Sequence, residues 1–570
     1  MKTDHHAGLG PRRRRFAVAA GALYLILAAW LALLLDPPDN GPVAWAILAA
    51  FAVMAPWTVL GVGNAALGYW LLHGKRHQPF GTCPPEGPVS ARTAMLMTIR
   101  NEDAARVFSR LRRMKRSLDD TGEGGCFAWF VLSDTDDPAI AAREEAEFAA
   151  WRAADEAGAL HYRRRAGNEG YKAGNIRDFC RSRGTDFEFM LPLDADSLME
   201  GETILRLVRL AEAHPRLGIL QSLVVGAPSR SAFARLFQFG MRSGMRTYMM
   251  GFAWWTGDCG PYWGHNALIR VRPFTDHCEL PRLPGGGHIL SHDQIEAVLM
   301  RRAGYEVRVL PVEAGSFEEN PPTLIEFVRR DLRWCQGNMQ YLGLLRLPGL
   351  LPVSRFQLIW AISMFLGAPA GTLMILLAGC WPLVEKGGPS GRGMALFYLV
   401  FLLLSLAPKL LGFADVLVRP GEAARYGGVR RFLAGAALET VFSFLLGAVT
   451  SFSVTLHLLG LRPAGRGGWD AQVRDANGLP AAAAFRLLWP HLLFGLAVFA
   501  LLSAAPSLLL WSLPLTAGYL AAIPMALVTA SPRWGERMLA AGLCATPEEI
   551  LPPPVLRSGG ELRVTRPASF

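Results

Sequence analysis

The apolar residues of this chain are gathered into long runs, separated by one long stretch of mixed polar pattern. The first run, 16–35, contains no Asp, Glu, Lys or Arg. A helix rises about 1.5 Å per residue, so a run of this length can cross a hydrocarbon core of roughly 30 Å. Comparable runs lie at 42–72, 356–383, 394–417, 432–460, 484–502 and 508–530. The pattern predicts a membrane protein with spanning helices on both sides of residues 89–345.

Between the two apolar blocks, short strand-like runs alternate with helix-like segments. Strands are predicted at 93–99, 127–132, 187–193 and 217–222, and helices at about 104–117 and 294–302. Strands interleaved with helices favour an α/β fold with a mostly parallel, Rossmann-like sheet. Ligands of such sheets bind beyond the carboxyl ends of the strands. The first three predicted strands each end in an acidic or amide cluster, which predicts a binding site at that edge.

The charge distribution predicts which side of the membrane the middle domain occupies. The formal net charge is +11, but arginines 12–15 precede the first apolar run, and Lys75 and Arg76 follow the second. The loop between these runs, 36–39, has no Lys or Arg. The positive-inside rule then places residues 1–15 and 89–345 in the cytoplasm. Because basic flanks of this kind mark topology, we expect no nucleic-acid partner.

The predicted organisation has five parts. A basic cytoplasmic N-terminus covers 1–15, two spanning helices 16–75, the soluble domain 89–345, a second membrane block 346–535 and a cytoplasmic tail 536–570. In the second block, the charged loops 417–431 and 461–482 are both expected on the cytoplasmic side. The run between them contains Glu439 and His457, which are costly at membrane depth. We therefore expect about four spans, with 432–460 as a re-entrant or interfacial helix or, alternatively, a tight hairpin.

Asp194-Ala-Asp196, directly after the third predicted strand, is the first candidate for chemistry. Two carboxylates one residue apart can share a hard divalent cation, Mg²⁺ or Mn²⁺, with the diphosphate of a nucleotide. Such a cation neutralises charge on a departing nucleoside diphosphate. An isolated D-x-D is more often a solvated turn, so the interpretation depends on its companions.

Several polar groups precede this pair on segments that approach the same sheet edge. Lys172-Ala-Gly-Asn175 offers an ammonium group for a phosphate and a glycine for close backbone approach. Asn101, Glu102 and Asp134 follow the first two strands and can hydrogen-bond a base and a ribose. Taken singly, each group is also explained as a turn or a helix cap.

Two motifs follow the D-x-D. Asp293, in Ser-His-Asp at the start of a predicted helix, suits a general base that takes the proton of an acceptor hydroxyl, although an ordinary N-cap explains it too. Arg330, Arg333 and Trp334 lie on an amphipathic stretch from 323 to about 347, for which we expect an interfacial helix at the end of the soluble domain or, alternatively, an ordinary surface helix. Arginines suit diphosphate oxygens, and an indole suits the face of a sugar ring. The alternative is a surface helix whose arginines snorkel at the bilayer.

In this order the motifs resemble the processive family 2 glycosyltransferases, whose members include cellulose synthase and hyaluronan synthase. That family carries an early Asp, a Lys-Ala-Gly-Asn stretch, a D-x-D, a general-base Asp and Q-x-x-R-W. The matching positions are Asp134, 172–175, Asp194 with Asp196, Asp293, and 330–334. The resemblance implies a cytoplasmic GT-A domain, at about 90–345, inserted between blocks of transmembrane helices.

Further strings narrow the resemblance to the bacterial glucan biosynthesis glucosyltransferases of type H, which make the backbone of osmoregulated periplasmic glucans. These strings are 97–103, 132–138, 162–165, 262–267, 289–293 and 333–338. The resemblance implies UDP-glucose as donor, Mg²⁺ or Mn²⁺ as cofactor, and inversion at the anomeric carbon. It also implies a β-linked, typically β-1,2, glucan, delivered from the cytoplasmic face of the inner membrane to the periplasm, where a glucan-processing protein is a possible partner.

The resemblance also distributes the site residues between ligands. It assigns Asn101, Glu102, Asp134, Lys172, Asn175, Asp194, Arg330 and Arg333 to the donor, Asp194 and Asp196 to the metal, and Trp334, His265 and Asn266 to the growing glucan. Arg330 stands where cellulose synthases carry Gln. The string 452–455 is similar to their gating-loop F-x-V-T, but His457 stands at the position of the following Lys, which puts a gating role in doubt.

Other functions stay open on the sequence alone. They are a cellulose-like synthase, a non-processive transferase acting on a lipid or polyprenyl phosphate, a transporter with a degenerate nucleotide-binding domain, and a non-catalytic scaffold. The Arg-x-x-Arg-Trp element and the multi-span C-terminal block weigh against the lipid transferase. The sequence has no G-x-x-x-x-G-K-[ST] motif, and together with the intact carboxylate set this weighs against the transporter.

Overall fold

The computed structural model describes residues 8–81, 83–155, 158–283, 286–384, 391–461, 478–503 and 506–557. Its strands are β1 (Thr93–Ile99), β2 (Phe127–Ser133), β3 (Leu160–Arg164), β4 (Phe189–Leu193), β5 (Leu198–Met199), β6 (Leu217–Ser222), β7 (Val225–Gly226), β8 (Ala267–Arg270), β9 (Glu306–Leu310) and β10 (Ser316–Glu318). Its helices are α1 (Leu9–Leu35), α2 (Pro37–His73), α3 (Ala104–Asp119), α4 (Pro138–Ala154), α5 (Tyr171–Arg183), α6 (Gly201–Ala213), α7 (Ala232–Thr256), α8 (Val271–His277), α9 (His292–Arg302), α10 (Leu324–Met339), α11 (Pro352–Val384), α12 (Gly391–Val418), α13 (Val429–Leu458), α14 (Ala481–Ser503), α15 (Pro506–Thr529), α16 (Pro532–Ala541) and α17 (Pro547–Ile550). The strands lie between α2 and α11, so one α/β domain is set between two blocks of apolar helices.

A seven-stranded sheet forms the centre of the α/β domain, in the order β3-β2-β1-β4-β8-β6-β9. Its pairings are parallel except those of β8, which runs antiparallel to both β4 and β6. A second sheet has the order β5-β10-β7. The predicted mostly parallel sheet is confirmed. Because β8 is reversed, its first residues lie at the edge where β1, β2 and β4 end.

Alternate residues of the central strands enter two separate apolar layers. Met95 and Met97 of β1 pack with Phe108 of α3 on one face, whereas Leu96 packs with Phe179 of α5 on the other. Strands covered on both faces read as nearly continuous apolar runs, which is why their sequences are so hydrophobic. The two layers hold the strand ends rigidly, and the site is built on those ends.

Seven helices among the described residues are long and apolar enough to cross a membrane. They are α1, α2, α11, α12, α13, α14 and the part of α15 from Leu509. Each coincides with one of the apolar runs in the sequence. The predicted combination of an α/β domain with flanking membrane helices is therefore confirmed.

Helix α13 covers the segment 432–460, for which the sequence left a re-entrant or interfacial helix and a hairpin open. The helix continues without a break from Val429 to Leu458. It is a single helix rather than a hairpin, and its length and composition fit a span. Its buried Glu439 pairs with Lys409 of α12, so the carboxylate that argued against a span is compensated. Residues 462–477, which carry most of the charged loop expected next, lie outside the described residues. The placement of this helix relative to the bilayer stays a prediction.

Near both limits of the described part of the chain, side chains contact the α/β domain or its neighbouring helix α7. Arg13, at the start of α1, forms an ion pair with Asp258 and donates to the carbonyl of Thr256. Near the other end, Glu549 lies 2.7 Å from the fully buried guanidinium of Arg235 on α7. Arg13, before the first span, thus makes specific contacts in addition to any topological role.

Candidate active site

The carboxyl ends of the central strands open into a cavity of about 210 Å³. Most of the sequence-predicted site residues line it: Glu102, Asp134, Lys172, Asp194, Asp196, His265, Asp293, Arg330, Arg333 and Trp334. They come from β-strand ends, the loop before β8, the start of α5, the start of α9 and one side of α10. Segments separated by more than two hundred positions in the sequence therefore meet around one space.

The two carboxylates of the D-x-D stand directly beyond the last residue of β4. The Asp194 amide donates to Ser197 Oγ at 3.0 Å, and Thr98 of β1 donates to the Leu193 carbonyl at 3.0 Å, so the turn is tied to itself and to the next strand. Lys172 forms an ion pair with Asp194. The turn thus presents acidic oxygens to the cavity and keeps a cation beside them.

This donor set fits a divalent cation bound together with a substrate. Among the described residues, no three His, Cys, Asp or Glu side chains are grouped closely enough to form an all-protein metal site. Mg²⁺ is usually held by one or two carboxylates plus substrate phosphates and water, rather than by a complete protein cage. Asp194 and Asp196 supply that number of carboxylates and both face the cavity.

Asp134, after β2, is held by a bidentate arginine. Arg165 Nε and Nη2 donate to its two carboxylate oxygens at 2.7 and 2.8 Å, and Nη1 reaches Asp178 at 2.8 Å. A planar guanidinium fork fixes a carboxylate in one orientation. Asp134 therefore presents a preorganised acceptor to the cavity, which Glu102 also lines.

Three non-glycine residues around the cavity have left-handed backbone conformations. Their φ angles are 52° at Asn101, 53° at Tyr171 and 51° at Asn266. Each such conformation costs roughly 1–3 kcal/mol, and conformations of this kind cluster at functional sites. The backbone is strained at the end of β1, at the start of α5 and just before β8, where the chain turns to form the cavity wall.

Asp293 lies in the first turn of α9 and faces the cavity. Burial raises the pKa of Asp293, while the neighbouring His292 and Lys172 act in the opposite direction. Gly264, with φ 84°, lies opposite, and a Cβ built there would stand 3.6 Å from the Cβ of Asp293 and 4.0 Å from the ammonium of Lys172. Glycine therefore keeps open the space in front of the carboxylate.

The loop that carries Asp293 is fastened to α10 and the turn that follows it. Tyr341 Oη donates to the Ser291 carbonyl at 2.8 Å, and Gln340 Oε1 accepts from the Leu290 amide at 2.8 Å. A Cβ at Gly337 would overlap the Ser291 side chain. The two segments thus touch at a glycine, so the position of the carboxylate depends directly on α10.

Helix α10 presents its aromatic and basic side chains to the same cavity. The guanidinium of Arg330 lies 4.7 Å from the centre of the Trp334 ring, so it occupies one side of the indole. Trp334 is nevertheless 42% exposed. The rest of the indole is available to a flat ligand, and the neighbouring guanidinium carries positive charge towards Asp196 and Glu318.

Three predicted contact residues do not line the cavity. Asn101 hydrogen-bonds Asp136 at 2.6 Å, and the buried Asn175 donates to the Leu132 carbonyl at 3.2 Å. Asn266 is fully buried and donates to Ser316 Oγ at 3.0 Å. The three amides do not face the cavity for the same reason: each hydrogen-bonds a neighbouring segment, behind or beside the cavity wall.

The cavity also contains ionisable residues to which the sequence analysis assigned no role. Glu318, at the end of β10, lies 3.3 Å from His265. His292 adjoins Asp293 and bonds Glu296 at 2.9 Å. In the sequence, the acidic pair Glu318-Glu319 before Asn-Pro-Pro could have indicated Glu318. The i, i+4 spacing of His292 and Glu296 could have indicated His292.

Comparison with known proteins identifies the family. The sequence profile described as "Glycosyl transferase family group 2" matches residues 189–410. The glucans biosynthesis glucosyltransferase H of Caulobacter vibrioides (strain NA1000 / CB15N) is 37% identical over 523 residues, which are 87% of this chain and 78% of that protein. The protein of the same name from Xanthomonas campestris pv. campestris (strain B100) is 36% identical over 591 residues, covering 97% of this chain and 90% of that protein.

A similar solved structure is that of the mannosyltransferase PcManGT from Pyrobaculum calidifontis in complex with GDP-Man and Mn²⁺. It is 15% identical, covers 65% of this chain and 99% of that one, and has a TM-score of 0.45. The long sequence matches, the family 2 profile and the carboxylate-lined cavity at the strand ends agree with one another. This chain is a glycosyltransferase with a GT-A-like domain, and it belongs to the glucans biosynthesis glucosyltransferase H family.

Proposed function

We propose that the protein transfers glucose from UDP-glucose to the end of a growing glucan, with inversion at the anomeric carbon, and repeats the reaction without releasing the chain. The product is the β-linked backbone, of β-1,2 linkage, of an osmoregulated periplasmic glucan. The observation that carries this proposal is the convergence of Asp194, Asp196, Asp293 and Trp334 on one cavity. A diphosphate site, a base and a flat apolar surface are the parts that sugar transfer requires.

The donor occupies the side of the cavity formed by the strand ends. Asp134, oriented by Arg165, and Glu102 bind the nucleoside, while Lys172 lies beside the diphosphate. Arg330 and Arg333 contribute positive charge from the opposite wall. Asn175 and Asn266 are buried behind the wall that the strand ends form, where they hold the backbone in place and make no direct contact with the ligands.

Asp194 and Asp196 are the residues that would hold Mg²⁺ or Mn²⁺. When bound, the cation supplies charge neutralisation for the departing UDP. The protein's own contribution is to hold the two carboxylates on a rigid strand end, with Lys172 next to them. Lysine provides a compact positive charge that suits a phosphate.

The acceptor lies between Asp293 and Trp334. Asp293 takes the proton of the attacking hydroxyl as that oxygen bonds to the anomeric carbon, and the bond to UDP breaks on the opposite face of the sugar. Proton transfer to a positioned carboxylate contributes about 10²–10⁴-fold to such reactions. Trp334 stacks on the terminal sugar and keeps the chain end in place between successive additions.

The membrane helices give the product a route to the other side. The ion pairs of Arg13 and Glu549 put the α/β domain, the start of α1 and the segment around Glu549 on one side of the membrane. The basic flanks of the first two spans support the cytoplasm of a bacterial inner membrane as that side. The glucan then leaves through the helices into the periplasm, where a glucan-processing protein can receive it. Residues 1–7 and 558–570, parts of the predicted cytoplasmic ends, lie outside the described residues.

The test uses purified protein in detergent or nanodiscs with several nucleotide sugars and either Mg²⁺, Mn²⁺ or EDTA. We expect UDP-glucose alone to give a polymer, with divalent metal required, and linkage analysis to show β-1,2 bonds. Asp293→Asn serves as the matched inactive variant, since it keeps the shape of the side chain but cannot accept the proton. Incorporation by that variant at the wild-type rate, or a product with a single added sugar, contradicts the proposal.

A further inference from the structure

His292 stands between the proposed base and a buried carboxylate. Its Nδ1 lies 2.9 Å from Glu296 Oε2, one helical turn further along α9. The side chains are 13% and 5% exposed, respectively. The ring of His292 also lines the cavity that contains Asp293 and Trp334. Glu296 thus holds the Nδ1 edge of the ring, and His292 belongs to the wall of the cavity that Asp293 and Trp334 also line.

The surroundings of this ring favour the imidazolium form. Burial by itself lowers the pKa of His292, but the carboxylates of Glu296 and Asp293 outweigh that effect, and the net shift is upward. An imidazolium carries two N–H donors and no acceptor. In that form Nδ1–H donates to Glu296, and Nε2–H is the donor that can serve another partner.

A sugar carries many hydroxyl oxygens that can accept a hydrogen bond from the Nε2–H group of His292. A hexose carries several adjacent hydroxyls, and the identity of the hydroxyl that reaches the base decides the linkage. The base alone cannot select it, since a carboxylate accepts from any hydroxyl in reach. A second group, fixed beside the base and able only to donate, can bind the neighbouring hydroxyl oxygen and so restrict the rotation of the ring.

We propose that His292 is an acceptor-positioning residue, whose Nε2–H donates to a hydroxyl oxygen adjacent to the one that Asp293 deprotonates. This inference rests on the glucosyl transfer proposed above. His292 keeps its proton throughout: the attacking oxygen gives its proton to Asp293 and bonds to the anomeric carbon, and the bond electrons of the broken C–O bond leave with UDP. Glu296 acts through His292 by holding the ring.

The experiment removes the hydrogen-bond donor of His292 without leaving an unpaired buried charge on Glu296. The variant His292→Leu/Glu296→Gln removes both charges of the pair, and His288→Leu, on the preceding loop outside this cavity, is the matched control. Each protein is given UDP-glucose and Mg²⁺, and two quantities are measured: total UDP released and glucose incorporated into polymer. UDP affinity is measured separately by calorimetry.

Loss of acceptor positioning lets water compete for the donor. We therefore expect the ratio of UDP released to glucose incorporated to rise at least fivefold in the double variant, with UDP affinity within twofold of wild type. The His288→Leu ratio should match wild type. If His292 served only as the counter-ion of Glu296, the charge-free double variant would keep the wild-type ratio and linkage, and that result would overturn the inference. A wild-type protein that does not consume UDP-glucose at all would instead overturn the proposed function itself.

Discussion

The contact between Gly337 and Ser291 offers a direct test of how the base is positioned. Gly337 lies on α10, and Ser291 precedes Asp293 by two residues. A Cβ added at Gly337 would lie 2.9 Å from the Cβ of Ser291 and 3.0 Å from its amide nitrogen. The neighbouring atoms include backbone, so the strain cannot be relieved by rotation of a long side chain.

The size of the effect follows from these distances. Carbon atoms in favourable contact are about 3.5–4.0 Å apart, so Gly337→Ala must separate α10 from the base loop by about 0.5–1 Å. Overpacking of this kind typically costs about 1–3 kcal/mol of stability. A displacement of about 1 Å at a catalytic group can lower the rate about 10²-fold. We expect kcat to fall between about tenfold and 100-fold.

Donor binding should survive this change. Asp134 and Asp194 stand on the ends of β2 and β4, and neither strand end is fastened through Gly337. The assay compares kcat for UDP release with the Kd for UDP, measured by calorimetry on the same preparation. The control is Gly125→Ala, in the same domain, because a Cβ at Gly125 meets nothing within 4 Å. A Gly337→Ala protein with wild-type kcat, or with kcat and UDP affinity lost together, refutes the argument.

Three further outcomes follow from the site and its supports. Burial raises the pKa of Asp293, and the base acts as a carboxylate, so kcat/KM should fall as the pH drops through a value above the ordinary Asp pKa of about 4. A pH–rate profile in which kcat/KM reaches half its maximum at or below about pH 4 contradicts this. Trp334→Ala should shorten the polymer and weaken acceptor binding by about 1.4 kcal/mol, or tenfold, with Trp334→Phe closer to wild type in product sizing. Glu549→Gln leaves Arg235 buried without its anion and should cost about 3–5 kcal/mol of stability, seen as a lower Tm. In contrast, Glu279→Gln, which removes a solvent-exposed partner of Arg181, should cost less than about 1 kcal/mol, and equal losses in the two variants would contradict the reasoning.

Much of the architecture was readable along the chain, because the relevant signals are local. The apolar runs have the length that a bilayer requires, and each coincides with one of the long apolar helices. The strands at 93–99 and 217–222 have the predicted bounds, and 127–132 is short by one residue. Acidic clusters directly after apolar strands indicated the binding edge, since parallel strands bring their carboxyl ends to one side of a sheet.

Composition could not distinguish amides that face a ligand from amides that support the wall. Asn175 and Asn266 lie in motifs that also contain cavity residues, yet both are buried and donate to groups of other segments. Whether a side chain points into a cavity or behind it depends on the rotation of its segment against the sheet. Contacts with partners distant in the sequence set that rotation.

The sequence by itself determined the apolar spans, the central strands and the order of the chemical groups. These features depend on residues close together in the chain: the length of an apolar run, and the polar residues that directly follow a strand. Only the tertiary structure decided which groups touch. The contact of Gly337 with Ser291, the pairing of Lys172 with Asp194 and the burial of Glu549 against Arg235 join segments that are distant along the chain. Such pairings arise from the packing of whole elements, and no local pattern specifies them.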